Sequence, residues 1–127
     1  MIFLVSLWGC SQDILQEGYT TEGSYYVVFE TNPDPIPFKE FFDVTVGVYS
    51  DETQSTLLTD IDVIVDATMP AHQHGMNFVP THEVTAEGFT VASGLEWFMT
   101  GTWEMAFYLT TPTGETETAL FEMECCR

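Results

Sequence analysis

Metal-ligating side chains are concentrated in one short segment of this 127-residue chain. Residues 69–76, with the sequence MPAHQHGM, hold two of the three histidines and two of the six methionines. Imidazole nitrogens bind copper and zinc, whereas soft thioethers favour Cu(I) over zinc. His72 and His74 are two residues apart, so in an extended chain their side chains project to the same side. We therefore predict a copper site built from His72 and His74, completed by Met69 and Met76.

A metal-free interpretation of the same segment remains open. Met69 continues the inward face of the preceding strand and can serve as core filler. The two loop histidines can equally be exposed to solvent, or can hydrogen-bond the backbone and shape the turn. Zinc is the poorer candidate ion, because its tetrahedral sites recruit cysteinate or carboxylate, and the next carboxylate after the segment, Glu83, is several residues away.

The cysteines of the chain are Cys10, Cys125 and Cys126. Neighbours in a strand point to opposite faces, so a disulfide between Cys125 and Cys126 requires a distorted backbone. The alternatives for this pair are a second soft-metal site, a bridge to another chain, a vicinal disulfide or an inert chain end. We favour the inert or oxidised interpretations.

No motif in the sequence indicates catalysis. His82 and Glu83 could orient an imidazole, but no serine or cysteine nucleophile lies in a matching motif nearby. The sequence has no glycine-rich phosphate loop and no His-Glu-x-x-His pattern. The chain is therefore not expected to be an enzyme.

The charge balance restricts the possible partners. Twenty acidic residues face only two basic ones, Lys39 and Arg127, which gives a formal net charge of −18. Such a chain cannot replace counterions along a phosphate backbone, which excludes nucleic acid, and it is repelled by anionic lipid. The same charge attracts cations. The hydrophobic fraction of 45% still predicts one folded domain with a core.

The amino terminus has the pattern of a processing segment. Residues 1–8 are almost wholly apolar, and the sequence LWGC at 7–10 resembles a bacterial lipobox, in which the cysteine is cleaved and diacylated. We predict a lipoprotein signal peptide over residues 1–9, lipidation at Cys10, a linker over 10–23 and a folded domain over 24–127. The domain would then lie in the cell envelope, facing the periplasm or the exterior, and would contact the membrane only through its lipid anchor. The alternative is an N-terminal strand with Cys10 as an ordinary thiol.

Alternating apolar residues predict strands through the rest of the chain. The inward series are Phe42 to Val48, Ile61 to Met69, Trp103 to Leu109 and Ala119 to Cys125. Shorter candidates are 25–30, 89–92 and 96–99, the last two separated by a predicted turn at Ser93-Gly94. Short strands separated by Pro and Gly predict an all-β fold, a small immunoglobulin-like antiparallel sandwich of about seven strands.

The order of motifs resembles the YtkA-like domain family of small immunoglobulin-like bacterial envelope domains. The resemblance rests on PIPF at 35–38, MPAHQHGM at 69–76, Pro80, EGFTV at 87–91 and FMTGTWEM at 98–105. It implies copper handling, with Met99 added to Met69, His72, His74 and Met76 as a ligand. Phe98 stands where the family often has histidine and Thr100 where it has proline, so one family nitrogen ligand is missing.

Two functions are therefore expected as alternatives. The first is an extracytoplasmic lipoprotein that binds copper through the His-Met segment and buffers or delivers the ion by ligand exchange. The second is a metal-free module of the cell envelope that binds an envelope protein. The first predicts imidazole nitrogens and methionine sulfurs that converge on a common point.

Overall fold

The computed structural model describes residues 15–126, which form nine strands and no helix. In chain order the strands are β1 (Leu15–Tyr19), β2 (Tyr26–Asn32), β3 (Phe41–Tyr49), β4 (Asp62–Met69), β5 (His74–Gly75), β6 (Thr81–Val84), β7 (Thr90–Glu96), β8 (Gly101–Thr110) and β9 (Thr116–Cys125). One sheet has the order β1-β2-β3-β7-β6 and the other β5-β4-β8-β9. Every pair of neighbouring strands is antiparallel, which confirms the predicted all-β sandwich.

The core lies between the two sheets and follows the predicted alternation. The inward positions of β3, β4 and β8 are all buried: Phe42, Val44, Val46, Val48, Val63, Val65, Ala67, Met69, Trp103, Met105, Phe107 and Leu109. Ile64, on the outward face of β4, is exposed as its position in the alternation requires. Phe29 of β2 reaches across to Phe107 of β8, with ring centroids 4.7 Å apart, and so joins the two sheets.

Nine strands stand where about seven are expected, because β1, β5 and β6 are additional and two of the predicted strands give only one. β5 has only two residues and the pattern of β6 is largely exposed, so neither carries an alternation that could be detected. β7 runs from Thr90 to Glu96 straight through Ser93-Gly94, and residues 97–99 of the second predicted short strand lie outside the strands. Gly94 has a φ of +89° and forms a bulge, because Phe42 pairs with Leu95 while Asp43 pairs with Ser93. The predicted turn at this position is wrong.

β1 lies within residues 10–23, for which the sequence predicts a linker. Instead, Leu15–Tyr19 pairs along its whole length with Tyr26–Glu30 of β2. Backbone hydrogen bonding adds this polar segment to the sheet edge without the hydrophobic alternation by which strands are recognised. The predicted signal peptide and Cys10 lie outside the described residues.

The outer edge of β4 is covered only at one end. β5 pairs with Thr68 and Met69, and no other described strand pairs with this edge. The start of β8 and the end of β9 lie near the same end of the second sheet, since Gly101 pairs with Cys125 and Glu104 with Thr68. This end carries the residues with metal-binding chemistry.

Candidate metal centre

Residues 69–76, called the His-Met loop below, form a tight hairpin between β4 and β5. The carbonyl of Met69 accepts hydrogen bonds from the backbone N–H groups of His72 (3.0 Å) and Gln73 (2.9 Å). Gln73 adopts a φ of +57°, which turns the chain back. His74 then pairs with Met69, and Gly75 with Thr68. The loop backbone is thus held by its own hydrogen bonds, and the imidazoles occupy defined positions.

His74 has one nitrogen in use and one free. Its Nδ1 lies 3.1 Å from the carbonyl oxygen of Gly75, which can only accept, so Nδ1 carries the proton. Its Nε2 then presents a lone pair. That atom is buried and has no hydrogen-bond partner among residues 15–126. Metal-ligating histidines have this arrangement, in which a backbone carbonyl fixes the tautomer and the other nitrogen faces the ion.

Met69 and His74 share a face. Residues directly opposite each other in an antiparallel pair project to the same side, with Cβ atoms about 4.5–5.5 Å apart. Met69 is buried on the inner face of β4, with 1% of its surface exposed, so the His74 imidazole is directed to the same inner side. The side chains of Met69 and His74 are therefore neighbours on the inner face of the second sheet.

His72 lies on the outside of this pair. It is exposed, and its ring is stacked on that of His74 with centroids 5.8 Å apart and planes inclined by 27°. The two imidazoles of the loop thus lie side by side, one buried and one open to solvent. A depression of about 410 Å³ opens beside them and is lined by residues of the loop, including Met69, Gln73 and His74.

Met99 is placed by a tryptophan. The indole Nε1 of Trp103 donates to the backbone carbonyl of Met99 at 2.9 Å, and the partly buried Met99 packs against the core. Trp103 also lies edge-on to His74, with centroids 5.9 Å apart. Trp103 therefore connects two predicted ligands, His74 and Met99, in addition to filling the core.

Phe98 occupies the position where the family resemblance leads one to expect a histidine. Its ring lies 5.2 Å from that of His74 and 5.8 Å from that of Trp103. Position 98 therefore faces the candidate centre, but it contributes an aromatic wall and no nitrogen.

Met76 is farther from the centre than the sequence suggests. It is partly buried and lines a neighbouring depression of about 350 Å³, together with Phe78, Pro80 and His82. The depression beside Met69 and His74 is a different one. His74 thus lies opposite Met69 in the strand pair and is stacked on His72, whereas Met99 is connected to it only through Trp103 and Met76 lines a different depression.

Trp97 belongs to the same region, although the sequence analysis does not single it out. Its ring is stacked on Trp103, with centroids 5.0 Å apart and planes inclined by only 3°, and its buried Nε1 has no partner among residues 15–126. The alternation of Leu95 and Trp97 about Glu96 is the signal that could have identified it as an inward residue.

The donor set at this end of the sandwich is soft. No group of three His, Cys, Asp or Glu side chains in the described part of the chain could hold a metal ion, so a centre here depends on thioethers. Two imidazoles with methionine sulfurs match copper chemistry better than zinc chemistry.

His82 has a separate structural role. Its Nε2 accepts a hydrogen bond from the backbone N–H of Val65 at 2.9 Å, across the open edge of β4. Burial lowers the pKa of this imidazole from its ordinary value. Glu83, which the sequence suggested as its partner, is exposed on β6. The acceptor nitrogen of His82 is therefore already in use.

Cys125 and Cys126 are bonded to each other as a vicinal disulfide at the end of β9. Of the alternatives left open by the sequence, the structure has this one. Cys125 is buried in the core, and Cys126 packs against it.

Comparison with known proteins finds similarity in fold alone. No family model matches the chain, and no curated protein matches it significantly. Among solved structures, a DUF4426 family protein from Pseudomonas aeruginosa has a TM-score of 0.59 at 10% identity, covering 89% of this chain and 95% of its own.

Two structures of FetP from uropathogenic Escherichia coli share the same fold. A copper-bound variant has a TM-score of 0.57 at 6% identity, covering 86% of this chain and 93% of its own. The protein as isolated, after expression in the periplasm, has a TM-score of 0.55 at 7% identity, covering 87% and 97%. At these identities the likeness shows the fold alone. Across the described residues, no helix is long and apolar enough to cross a bilayer.

Proposed function

We propose that this domain binds copper at the His-Met loop and buffers or hands over the ion outside the cytoplasm. His74 and His72 would supply nitrogen, and Met69 and Met99 sulfur, with Met76 as a marginal donor. The ion would be carried and passed on, and the chain would supply soft, partly buried ligands for it.

The free Nε2 of His74 is the observation that carries the proposal. A buried polar nitrogen without a partner costs about 1–3 kcal/mol, and a metal ion bound to Nε2 would remove this cost. Because Nδ1 donates to the Gly75 carbonyl, the lone pair lies on Nε2 and the ring is held in place, as in histidines that bind metal ions.

Exposure of His72 supports a role in transfer. A ligand at the surface can leave the ion and be replaced by a ligand of another protein, while His74 and Met69 remain in place beneath it. The net charge of −18 raises the local concentration of cations around the domain. Among the structural neighbours, one FetP structure is copper-bound, which is consistent with this fold holding the ion.

The resemblance to YtkA-like domains and the lipobox-like sequence at 7–10 support a place in the cell envelope. Lipidation of Cys10 would tether the domain, with β1 beginning five residues later at Leu15. A Cys10→Ser variant expressed in a bacterial host is expected to leave the membrane fraction, while the wild-type chain stays in it. An equal distribution of the two would contradict the anchor.

Copper titration of the purified chain tests the site. In a titration that competes against a chromophoric chelator, wild type is expected to bind one Cu(I). The His72→Ala/His74→Ala variant is expected to lose this binding. His82→Gln is the matched control, because it removes the third histidine and retains an acceptor for Val65. Equal binding by the double variant and wild type would exclude the site.

Methionines are tested in the same way. Met69→Leu/Met99→Leu should weaken Cu(I) binding and leave Cu(II) binding less affected, since thioethers select the soft ion. Met105→Leu is the control, because Met105 is equally buried but lies farther along β8.

A second function has its own support. Ile64, Phe78, Val79 and Tyr108 are exposed apolar residues, all of which line the depression beside the open edge of β4. A metal-free module that binds an envelope protein would use such a surface. Indifference of the wild-type chain to copper, with loss of partner binding in Ile64→Asp/Val79→Asp, would favour this function.

A further inference from the structure

Three exposed phenylalanines lie near the end of the sandwich that carries the His-Met loop. Phe38, Phe41 and Phe78 expose 45%, 57% and 49% of their surface. The rings of Phe41 and Phe78 are in edge-to-face contact with centroids 5.2 Å apart, although Phe41 begins β3 of one sheet and Phe78 follows β5 of the other. A group of exposed aromatic rings is typical of a contact surface. Phe38, Lys39, Phe41 and Phe78 are called the aromatic tip below.

Strand pairing and hydrogen bonding place the aromatic tip at this end. Phe41 is the first residue of β3 and pairs with the last residue of β7. The backbone N–H of Lys39 donates to the carbonyl of Trp97 at 3.0 Å. The next residue, Phe98, lies 5.2 Å from His74 between ring centroids. The aromatic tip and the His-Met loop therefore belong to one end of the domain.

The described chain also enters the fold at this end. Leu15, the first residue of β1, pairs with Glu30, and β2 ends two residues later, where Asn32 pairs with Asp43 near the start of β3. Cys10, the proposed lipidation site, precedes Leu15 by five residues, and five residues reach at most about 18 Å. A lipid on Cys10 would therefore hold this end of the sandwich close to the bilayer surface.

The charges at the tip fit a lipid headgroup that carries both signs. Lys39 is the only lysine or arginine among residues 15–126, and its Nζ lies 5.2 Å from the ring centroid of Phe38. Glu40 is exposed beside it. A zwitterionic headgroup offers a phosphate to Lys39 and an ammonium group to Glu40. Aromatic side chains enter the interfacial layer of a bilayer, and a lysine side chain reaches from there to the headgroups.

We propose that the aromatic tip inserts into the headgroup layer of a zwitterionic lipid bilayer. This inference rests on the proposed lipid anchor at Cys10 and is independent of copper binding. It adds a second membrane contact to the anchor, which the sequence analysis expects to be the only one. Anchor and tip together would orient the sandwich, with the His-Met loop at the end that faces the membrane.

Fluorescence quenching by lipid locates the contact. Phe41→Trp and Tyr108→Trp each add one indole to the full chain, the first at the tip and the second at an exposed aromatic position of β8. On vesicles of brominated phosphatidylcholine, the emission added at position 41 should be quenched, because bromine quenches only indoles close to it. The emission added at position 108 should remain. Equal quenching at the two positions, or none at position 41, would overturn the proposal.

Serine substitutions measure how much the tip contributes to binding. Phe38→Ser/Phe41→Ser/Phe78→Ser should lower the partition of the full chain onto phosphatidylcholine vesicles by at least about tenfold, because three apolar side chains lose their contact with lipid. Ile64→Ser/Tyr108→Ser is the matched control, since these two exposed residues pair on the outer face of the second sheet. The N-terminal segment is the same in every variant, so its contribution cancels in the ratio. Urea unfolding checks that both variants stay folded.

The possible outcomes separate this inference from the other proposals. Unchanged vesicle binding in the tip variant would overturn the membrane contact, and loss of an envelope protein partner in the same variant would make the tip a protein-binding surface. Loss of vesicle binding in Ile64→Ser/Tyr108→Ser alone would move the contact to the open edge of β4. The vesicle assays contain no copper, so failure of the His-Met loop to bind the ion does not affect them. The distribution of Cys10→Ser reports on the anchor alone.

Discussion

Two half-buried histidines, on short strands that follow each other along the chain, use different ring nitrogens for hydrogen bonding. His82 of β6 uses its Nε2 to accept the backbone N–H of Val65. His74 of β5 instead uses its Nδ1, which donates to the Gly75 carbonyl, and its Nε2 is left without a partner in the described residues. The residue type is the same, so the difference lies in which ring nitrogen the backbone engages.

The contrast separates a structural histidine from a candidate ligand. The outer edge of β4 presents backbone N–H groups that no strand covers, and these are closed by side chains. His82 accepts from Val65, and the Asp66 carboxylate accepts from Ala67 at 2.8 Å. Capping an edge in this way protects it from pairing with another chain. The His74 ring accepts no backbone N–H among the described residues, so its free lone pair is available to an ion.

The stacked tryptophans differ in the same way, because the indole N–H of Trp103 is hydrogen-bonded and that of Trp97 has no partner in the described residues. Substitutions of these two residues should have the largest effect, which is on stability. Trp103→Phe removes a donor to the Met99 carbonyl and should lower the free energy of unfolding by about 1–3 kcal/mol. Trp97→Phe removes an indole N–H that has no partner in the described residues, so it should cost less, although both rings are fully buried. Urea unfolding of the two variants checks this order, and equal losses would contradict it.

Single histidine variants should show the next effect, on copper affinity. His74→Gln is expected to weaken Cu(I) binding by at least about tenfold, since loss of even a residue that only hydrogen-bonds to a metal ligand costs about 10- to 100-fold in affinity. His82→Gln should leave the affinity unchanged. A fall of the same size in both variants would mean that loop stability, and not the free nitrogen of His74, determines binding.

The sequence predicts the two-sheet architecture because the inward faces of β3, β4 and β8 each alternate over several residues. It misses β5 and β6, since two residues cannot alternate and the exposed pattern of β6 does not. It predicts a turn at Ser93-Gly94, because glycine is typical both of turns and of bulges, and only the pairing with Phe42 and Asp43 distinguishes them.

The candidate site is predictable only in its composition. The types of residue in the His-Met loop indicate copper, but no sequence pattern states that the Gly75 carbonyl fixes the tautomer of His74. Nor does it state that Gly101 of β8 leaves room for the Met69 side chain of β4, because these residues meet only through the pairing of distant strands. The positions of these residues relative to one another depend on pairing between distant strands, which local sequence spacing does not reveal.

The smallest expected effect concerns pH and the role of His82. Its folded pKa lies below the ordinary value of 6.5 because burial disfavours the charged ring. Protonation would also remove the acceptor for Val65. His82 therefore contributes stability that is fully present above pH 6.5 and is lost as the pH falls towards its folded pKa.

The difference in the free energy of unfolding between wild type and His82→Gln isolates the contribution of His82. Acidification also relieves repulsion among the carboxylates, but both chains share that effect, so it cancels in the difference. The advantage of wild type in urea unfolding should be constant above about pH 7 and should shrink towards about pH 5, the window in which histidine titrates. A difference independent of pH would show that His82 acts through packing alone. The distinction from His74 would then rest on hydrogen-bond geometry without a contribution from charge.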